Sequence, residues 1–291
     1  MKKFPKKLLP IAVLSSIAFS SLASGSVPEA SAQEKKKGNQ DEIKNVIVLI
    51  GDGMGVSYTS AHRYLKDNKK TKFVEPTAFD QYLVGQQTTY PEDPEQNVTD
   101  SASAATAMSA GIKTYNNAIA VDNDGSEAKT VLEAAKEEGK STGLVATSEI
   151  THATPASFGS HDHSRKNMNS IADDYFDEMV NGKHKIDVLL GGGKSNFDRK
   201  DRNLIKEFKK AGYSYVDNRK DMLKNKDSQV LGLFADGGLP KKIDRTKDIP
   251  SLKDMTNTAI KKLSRIKTVS SSWWKAARLT GRDMTMISSV P

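Results

Sequence analysis

An apolar run, Val46 to Ile50, ends abruptly at Gly51-Asp52-Gly53-Met54-Gly55, and 49 positions beyond Asp52 stands Ser101, within Asp100-Ser101-Ala102-Ser103-Ala104-Ala105-Thr106-Ala107. A buried strand that ends in an acidic residue and a glycine-rich turn carries a carboxylate to the C-terminal edge of a sheet, where open α/β folds bind ligands. Asp52 is therefore a candidate cation ligand. Ser101 opens an alanine-rich, helix-forming run, so its hydroxyl stands where free N–H groups and the helix dipole favour an anion such as phosphate. Taken singly, Asp52 also suits an ordinary turn and Ser101 a plain helix N-cap. Taken together they suit phosphoryl transfer. A phosphate monoester resists attack because its phosphoryl group is already anionic, so its oxygens must be neutralised and both the entering and leaving groups activated. Two divalent ions about 4 Å apart can do this, and a serine with no neighbouring histidine base needs such help to become nucleophilic.

At these residues the chain resembles the alkaline phosphatase family, whose metal-binding strand end and nucleophile segment look like Asp52-Gly53-Met54-Gly55 and Asp100-Ser101-Ala102. Two further segments follow in the same order: Thr151-His152-Ala153-Thr154-Pro155-Ala156 resembles that family's magnesium site, and Ser164-Arg165-Lys166 its substrate-binding arginine. The resemblance covers roughly residues 43 to 263. It implies zinc and magnesium as cofactors, with Asp52 bridging the two. Ser101 would be both nucleophile and metal contact, forming a phosphoserine intermediate that water then releases. It implies Thr154 as a magnesium ligand through its hydroxyl, hard-cation chemistry that suits magnesium. His152 stands where some family members have aspartate, so it would meet magnesium through water or make that site more zinc-like. Arg165 would offer a planar fork to two phosphate oxygens, which lysine cannot copy. The family is commonly homodimeric. A related phosphomutase or phosphodiesterase shares the strand-end aspartate, but Ser101 within Asp-Ser-Ala favours the monoesterase.

Two other clusters invite a chemical reading and do not sustain it. His161-Asp162-His163 gathers metal-ligand residue types, but neighbours in an extended loop point different ways, so we read an incidental polar loop. Gly191-Gly192-Gly193-Lys194-Ser195 looks like a nucleotide-binding loop, yet its required first glycine falls at Val188, which leaves a flexible strand-to-loop turn.

These residues need a framework, and the rest of the chain supplies an α/β pattern: a mainly parallel central sheet flanked by helices. Val46 to Ile50, apolar without interruption, reads as a mid-sheet strand buried on both faces. Thr130 to Glu138 reads as a helix closed by Gly139, followed by a strand from Thr142 to Ala146. Ile186 to Leu190 is a strand, Leu204 to Ala211 a helix, and Tyr213 to Val216 and Val230 to Phe234 two more strands. Ser251 is expected to N-cap a helix running to Leu263, with Leu252, Met255, Ala259, Ile260 and Leu263 at helical spacing.

Upstream, Lys2, Lys3, Lys6 and Lys7 precede an apolar stretch from Leu8 to Phe19 and then Ala30-Ser31-Ala32. That is the layout of a secretory signal peptide cleaved after Ala32, and Pro10 with the serines from Ser15 to Ser24 leaves too short an apolar span to cross a bilayer. Export outside the cell or to its envelope is expected. Residues 33–42 read as a disordered lead-in. With 0 cysteines, an exported domain must take its stability from its core and bound ions rather than from disulfides. The net charge of +8 suggests nucleic acid, but residues 1–32 hold four Lys against Glu29, and residues 264–291 hold five basic residues against Asp283. The body between them is near neutral, which excludes that class.

The last segment, 264–291, changes composition sharply and holds both tryptophans of the chain. It looks like no continuation of an α/β domain. Trp273-Trp274-Lys275 must be encoded TGG TGG AA(A or G), so reading from the third base of each codon necessarily gives Val-Glu there, and Met284-Thr285 likewise yields Asp. In the family a magnesium-binding glutamate comes from the C-terminal half, and it falls on that forced Glu. We therefore expect a single-nucleotide shift near Ser264 or Arg265, an out-of-frame tail, and impaired activity. The competing expectation is a non-catalytic exported remnant that binds phosphate or metal weakly.

Overall fold

The computed structural model describes residues 45–265 in full and the backbone of 284–290. The expected signal peptide (1–32) and lead-in (33–42) lie outside the described residues. In chain order the elements are β1 (Asn45–Gly51), α1 (Val56–Lys66), α2 (Ala78–Gln81), α3 (Ser101–Ala110), α4 (Val131–Glu137), β2 (Ser141–Glu149), α5 (Ala153–Gly159) and α6 (Met168–Asp177). A small antiparallel hairpin, β3 (Met179–Val180) with β4 (Lys183–His184), leads to β5 (Val188–Gly192) and α7 (Lys194–Phe197). Then come α8 (Leu204–Lys210), β6 (Ser214–Val216), α9 (Arg219–Lys224), β7 (Val230–Leu233), α10 (Leu252–Leu263) and β8 (Met284–Val290).

The large sheet runs β1-β8-β2-β5-β7-β6, and every pairing in it is parallel. Strand alternation divides its interior between two layers. Leu144, Ala146 and Leu189 pack with Phe158, Tyr175 and Phe208 on one face. Val145, Val188 and Leu190 pack with Met222, Met255, Ala259 and Leu263 on the other. Helices therefore cover both faces, as a parallel sheet requires. The caps are those expected from residue type: Thr130 and Glu133 close a capping box on α4, and Ser251 and Asp254 close another on α10.

Three sequence expectations need correction. β1 is not mid-sheet: it pairs only with β8 among the described strands, and Val46, Ile47 and Leu49 are 51%, 41% and 71% exposed. Its apolar run marks a strand able to be buried on both faces, but no described element lies over its outer edge. Residues 284–290, expected to stand apart from the α/β domain, form β8 and bond to β1 on one side and β2 on the other. The slot between two parallel strands is satisfied by main-chain groups, which almost any extended segment can supply. Finally, Gly191 to Gly193 is not a flexible turn. Gly191 and Gly192 end β5, a Cβ on Gly192 would strike the Gly237 carbonyl, and Gly193 adopts φ 88° at the start of α7. Close backbone approach, not mobility, explains the glycines.

Candidate active site

The parallel sheet places the ends of β1 and β2 on one edge, and the chemistry gathers there. Asp52 follows β1 directly, and Thr154 lies in the first turn of α5, just after β2. The Thr154 hydroxyl donates to Asp52 Oδ2 at 3.1 Å, and Thr154 is 2% exposed. Ser101 is the first residue of α3. The N-cap is Asp100, whose Oδ1 accepts from the Ser103 amide at 3.0 Å. Asp52, Asp100, Ser101 and Thr154 line one cavity of about 480 Å³, together with the glycine-rich turn after β1.

Arg165 reaches Ser101 and Asp100, which line this cavity, from the loop after α5. Its Nη1 donates to Ser101 Oγ at 2.9 Å and to Asp100 Oδ2 at 3.1 Å, while Nη2 meets His152 Nε2 at 3.0 Å. Because a guanidinium only donates, His152 accepts through a neutral Nε2. Its imidazole is correspondingly held below the usual value, first by burial and then by the Arg165 charge, against the opposing pull of Asp52, Glu149 and Asp100. His152 thus turns Nε2 towards Arg165. A second, smaller cavity of about 230 Å³ adjoins it, lined by Asp52, Glu149, His152 and the Gly238 turn.

All five residues singled out from the sequence, Asp52, Ser101, His152, Thr154 and Arg165, therefore converge on one edge of the sheet. Asp100 was missed, although an aspartate just before a helix-forming run is a recognisable N-cap signal. Glu149 and the Asn116-Asn117 turn were also missed. Neither carries a spacing that marks it out. For a divalent cation, the Asp52 carboxylate and Thr154 hydroxyl are adjacent hard oxygen donors, a set suited to magnesium, and His152 adds a nitrogen nearby.

The polar loop at 161–163 is better organised than its sequence suggests. The ligand atoms of Glu133, His161 and Glu178 lie within 4.8 Å of one another, which by itself would admit a metal. The Lys185 ammonium, 1% exposed, already bonds both carboxylates, and the two imidazole nitrogens face different glutamates, Nε2 towards Glu133 and Nδ1 towards Glu178, each at 3.6 Å. That is a buried charge cluster with its cation built in.

The alkaline phosphatase family model matches residues 43–268, and the chain belongs to that family. It is 96% identical over 267 residues to alkaline phosphatase 3 of Bacillus subtilis (strain 168), covering 92% of this chain and 58% of that protein. Among solved structures, the cold-active alkaline phosphatase from the psychrophile Shewanella sp. superposes with a TM-score of 0.72 at 37% identity, over 85% of this chain and 56% of that one. The alkaline phosphatase of the Antarctic bacterium TAB5, in a variant with a histidine replaced by glutamate and magnesium bound in its M3 site, gives a TM-score of 0.66 at 31% identity, over 85% of this chain and 65% of that one. The chain thus spans less than two thirds of the length of each of these relatives.

Proposed function

We propose that this chain carries the nucleophile and phosphate-binding part of a metal-dependent phosphate monoester hydrolase. The observation that carries the reading is the 2.9 Å bond from Arg165 Nη1 to Ser101 Oγ, on a cavity that Asp52 also lines. A phosphoryl group joined to Ser101 Oγ falls within reach of the Arg165 fork, which Asp100 already holds in place. Of the first amides of α3, that of Ser103 is taken by Asp100 Oδ1, and those of Ser101 and Ala102, without helical partners, would favour the same anion. Ser101 forms the new bond to phosphorus as the alcohol leaves, giving a phosphoserine that water hydrolyses. Asp52, Thr154, His152 and Ser101 would hold magnesium and zinc, and the adjacent hard oxygens of Asp52 and Thr154 support magnesium for that pair. Bound cations of this kind neutralise phosphoryl oxygens and lower the serine hydroxyl's pKa.

The chain spans 58% of the Bacillus relative, and a second reading stands beside the first: a non-catalytic exported remnant that binds phosphate or metal weakly. An out-of-frame tail is proposed over 264–291, and the family match ends inside that stretch, at residue 268. Sequencing the gene decides this: downstream DNA that fails to encode the rest of the domain in the alternative frame would refute it. The signal-peptide reading of residues 1–32 puts the product outside the cytoplasm. Among the described residues no helix is long and apolar enough to cross a membrane.

The two readings separate in two measurements, hydrolysis of p-nitrophenyl phosphate at alkaline pH and titration with orthophosphate, each with added zinc and magnesium. Turnover that vanishes in Ser101→Ala establishes the hydrolase. Orthophosphate binding without turnover establishes the remnant, and neither activity nor binding removes both.

A further inference from the structure

Asn117 lies between the two halves of the site and touches both through its main chain. Its amide donates to Asp100 Oδ2 at 3.0 Å, and its carbonyl accepts from the Arg165 amide at 2.8 Å. The same Asp100 oxygen accepts from Arg165 Nη1, closing a ring through Asn117, Asp100 and Arg165. Asn117 makes both contacts from the left-handed region, at φ 78°. Asparagine and glycine enter that region readily, whereas a β-branched residue there is an outlier. The neighbouring Asn116, 6% exposed, anchors the turn: its Oδ1 accepts from the Asp100 amide and from Ser103 Oγ, each at 2.9 Å, and its Nδ2 donates to Gln96 Oε1 and to the Val98 carbonyl, also at 2.9 Å.

We propose that Asn117 is a positioning residue, whose left-handed backbone sets the spacing between the Ser101 end of α3 and the Arg165 guanidinium. It acts through Asp100 and the Arg165 main chain and does not itself reach the phosphoryl group. The proposal rests on the reading of Ser101 and Arg165 given above. It specifies a backbone shape rather than a side chain, so glycine should replace asparagine freely and valine should not.

The experiment compares the parent chain with Asn117→Gly and Asn117→Val by residue-resolved amide hydrogen exchange and by titration with orthophosphate in zinc and magnesium. The expected result is that Asn117→Gly keeps the parent's Arg165 amide protection and phosphate affinity. Asn117→Val should lose about tenfold in each, while the amides of β2 and β5 keep their protection. Equal behaviour of Gly and Val, or a Val variant that loses β2 protection in the same proportion, overturns the proposal. Loss of Arg165 protection in Asn117→Val with phosphate affinity unchanged upholds the positioning role and refutes instead Arg165 as the phosphate ligand. A parent chain that binds no phosphate likewise refutes the functional reading, and the exchange comparison still decides the role of Asn117.

Discussion

The Thr154 hydroxyl and the Asp52 carboxylate meet at 3.1 Å across 102 positions of the chain. β1 ends at one and α5 begins beside the other, so this bond ties the edge strand to the helix that follows β2. If the pair holds magnesium, a saturating concentration should stabilise the folded chain by mass action. At about a hundred times the dissociation constant the gain is ~2.7 kcal/mol, or roughly 5–10 °C in Tm. Chelation should reverse it. Asp52→Asn, which removes the charge but keeps the shape, should abolish the magnesium-dependent shift in a thermal melt. A full shift in that variant would remove Asp52 from the cation site.

Arg165 makes its three side-chain contacts with a planar fork: Ser101 and Asp100 through Nη1, His152 through Nη2. A lysine carries the charge but cannot span Ser101 and His152 at once. Arg165→Lys is expected to weaken orthophosphate binding by about tenfold or more, in keeping with ~1.5–3 kcal/mol for a charged hydrogen bond, with little change in Tm. Calorimetric titration of both chains checks it. Unaltered affinity would mean that phosphate binds elsewhere.

What could be seen in the sequence was whatever local chemistry determines. Asp52 after an apolar strand, Ser101 at a helix start, and Thr154 and Arg165 in family-like segments are each legible within a few residues, and the structure brings them to one sheet edge. The parallel α/β order was legible for the same reason, from strands and helices alternating in hydrophobic period. The position of β1 was not, because an apolar run reports a capacity for burial and not what lies over it. Asn117 was hidden too, since an asparagine at φ 78° looks like any loop asparagine until Asp100 and Arg165 are placed on either side. The Glu133, His161 and Glu178 cluster is assembled from three separate segments, and no spacing rule joins them.

That cluster gives the fold a pH dependence. Burial pushes the His161 imidazole down, but Glu178 and Glu133 outweigh it, and the net direction is upward from 6.5. Lys185 opposes them, and Asp174, which takes the His161 amide, is itself raised by burial. The folded chain therefore binds the His161 proton more tightly than the unfolded chain does. By linkage this contribution to stability is complete below about pH 6.5 and is lost as pH rises through the folded value. His161→Gln should cost more stability at pH 6 than at pH 9, measured by urea unfolding at each pH. An equal cost at both would show that the imidazole contributes packing alone.

A second buried pair reaches the site through β2. Lys136 on α4 places Nζ 2.8 and 2.7 Å from the two carboxylate oxygens of Asp187, with both side chains under 10% exposed. Asp187 Oδ2 also accepts from the Thr142 amide at 2.9 Å, at the start of the strand whose far end leads to His152 and Thr154. Lys136→Met leaves that carboxylate buried and uncompensated, which is expected to cost about 3–5 kcal/mol. Adding Asp187→Asn removes the stranded charge while its side-chain oxygen can still accept from Thr142. The double variant should therefore recover most of the loss in urea denaturation, even though it carries one more substitution. If it proves no more stable than Lys136→Met, the cost lies in the packing of the lysine stem and not in the unpaired charge.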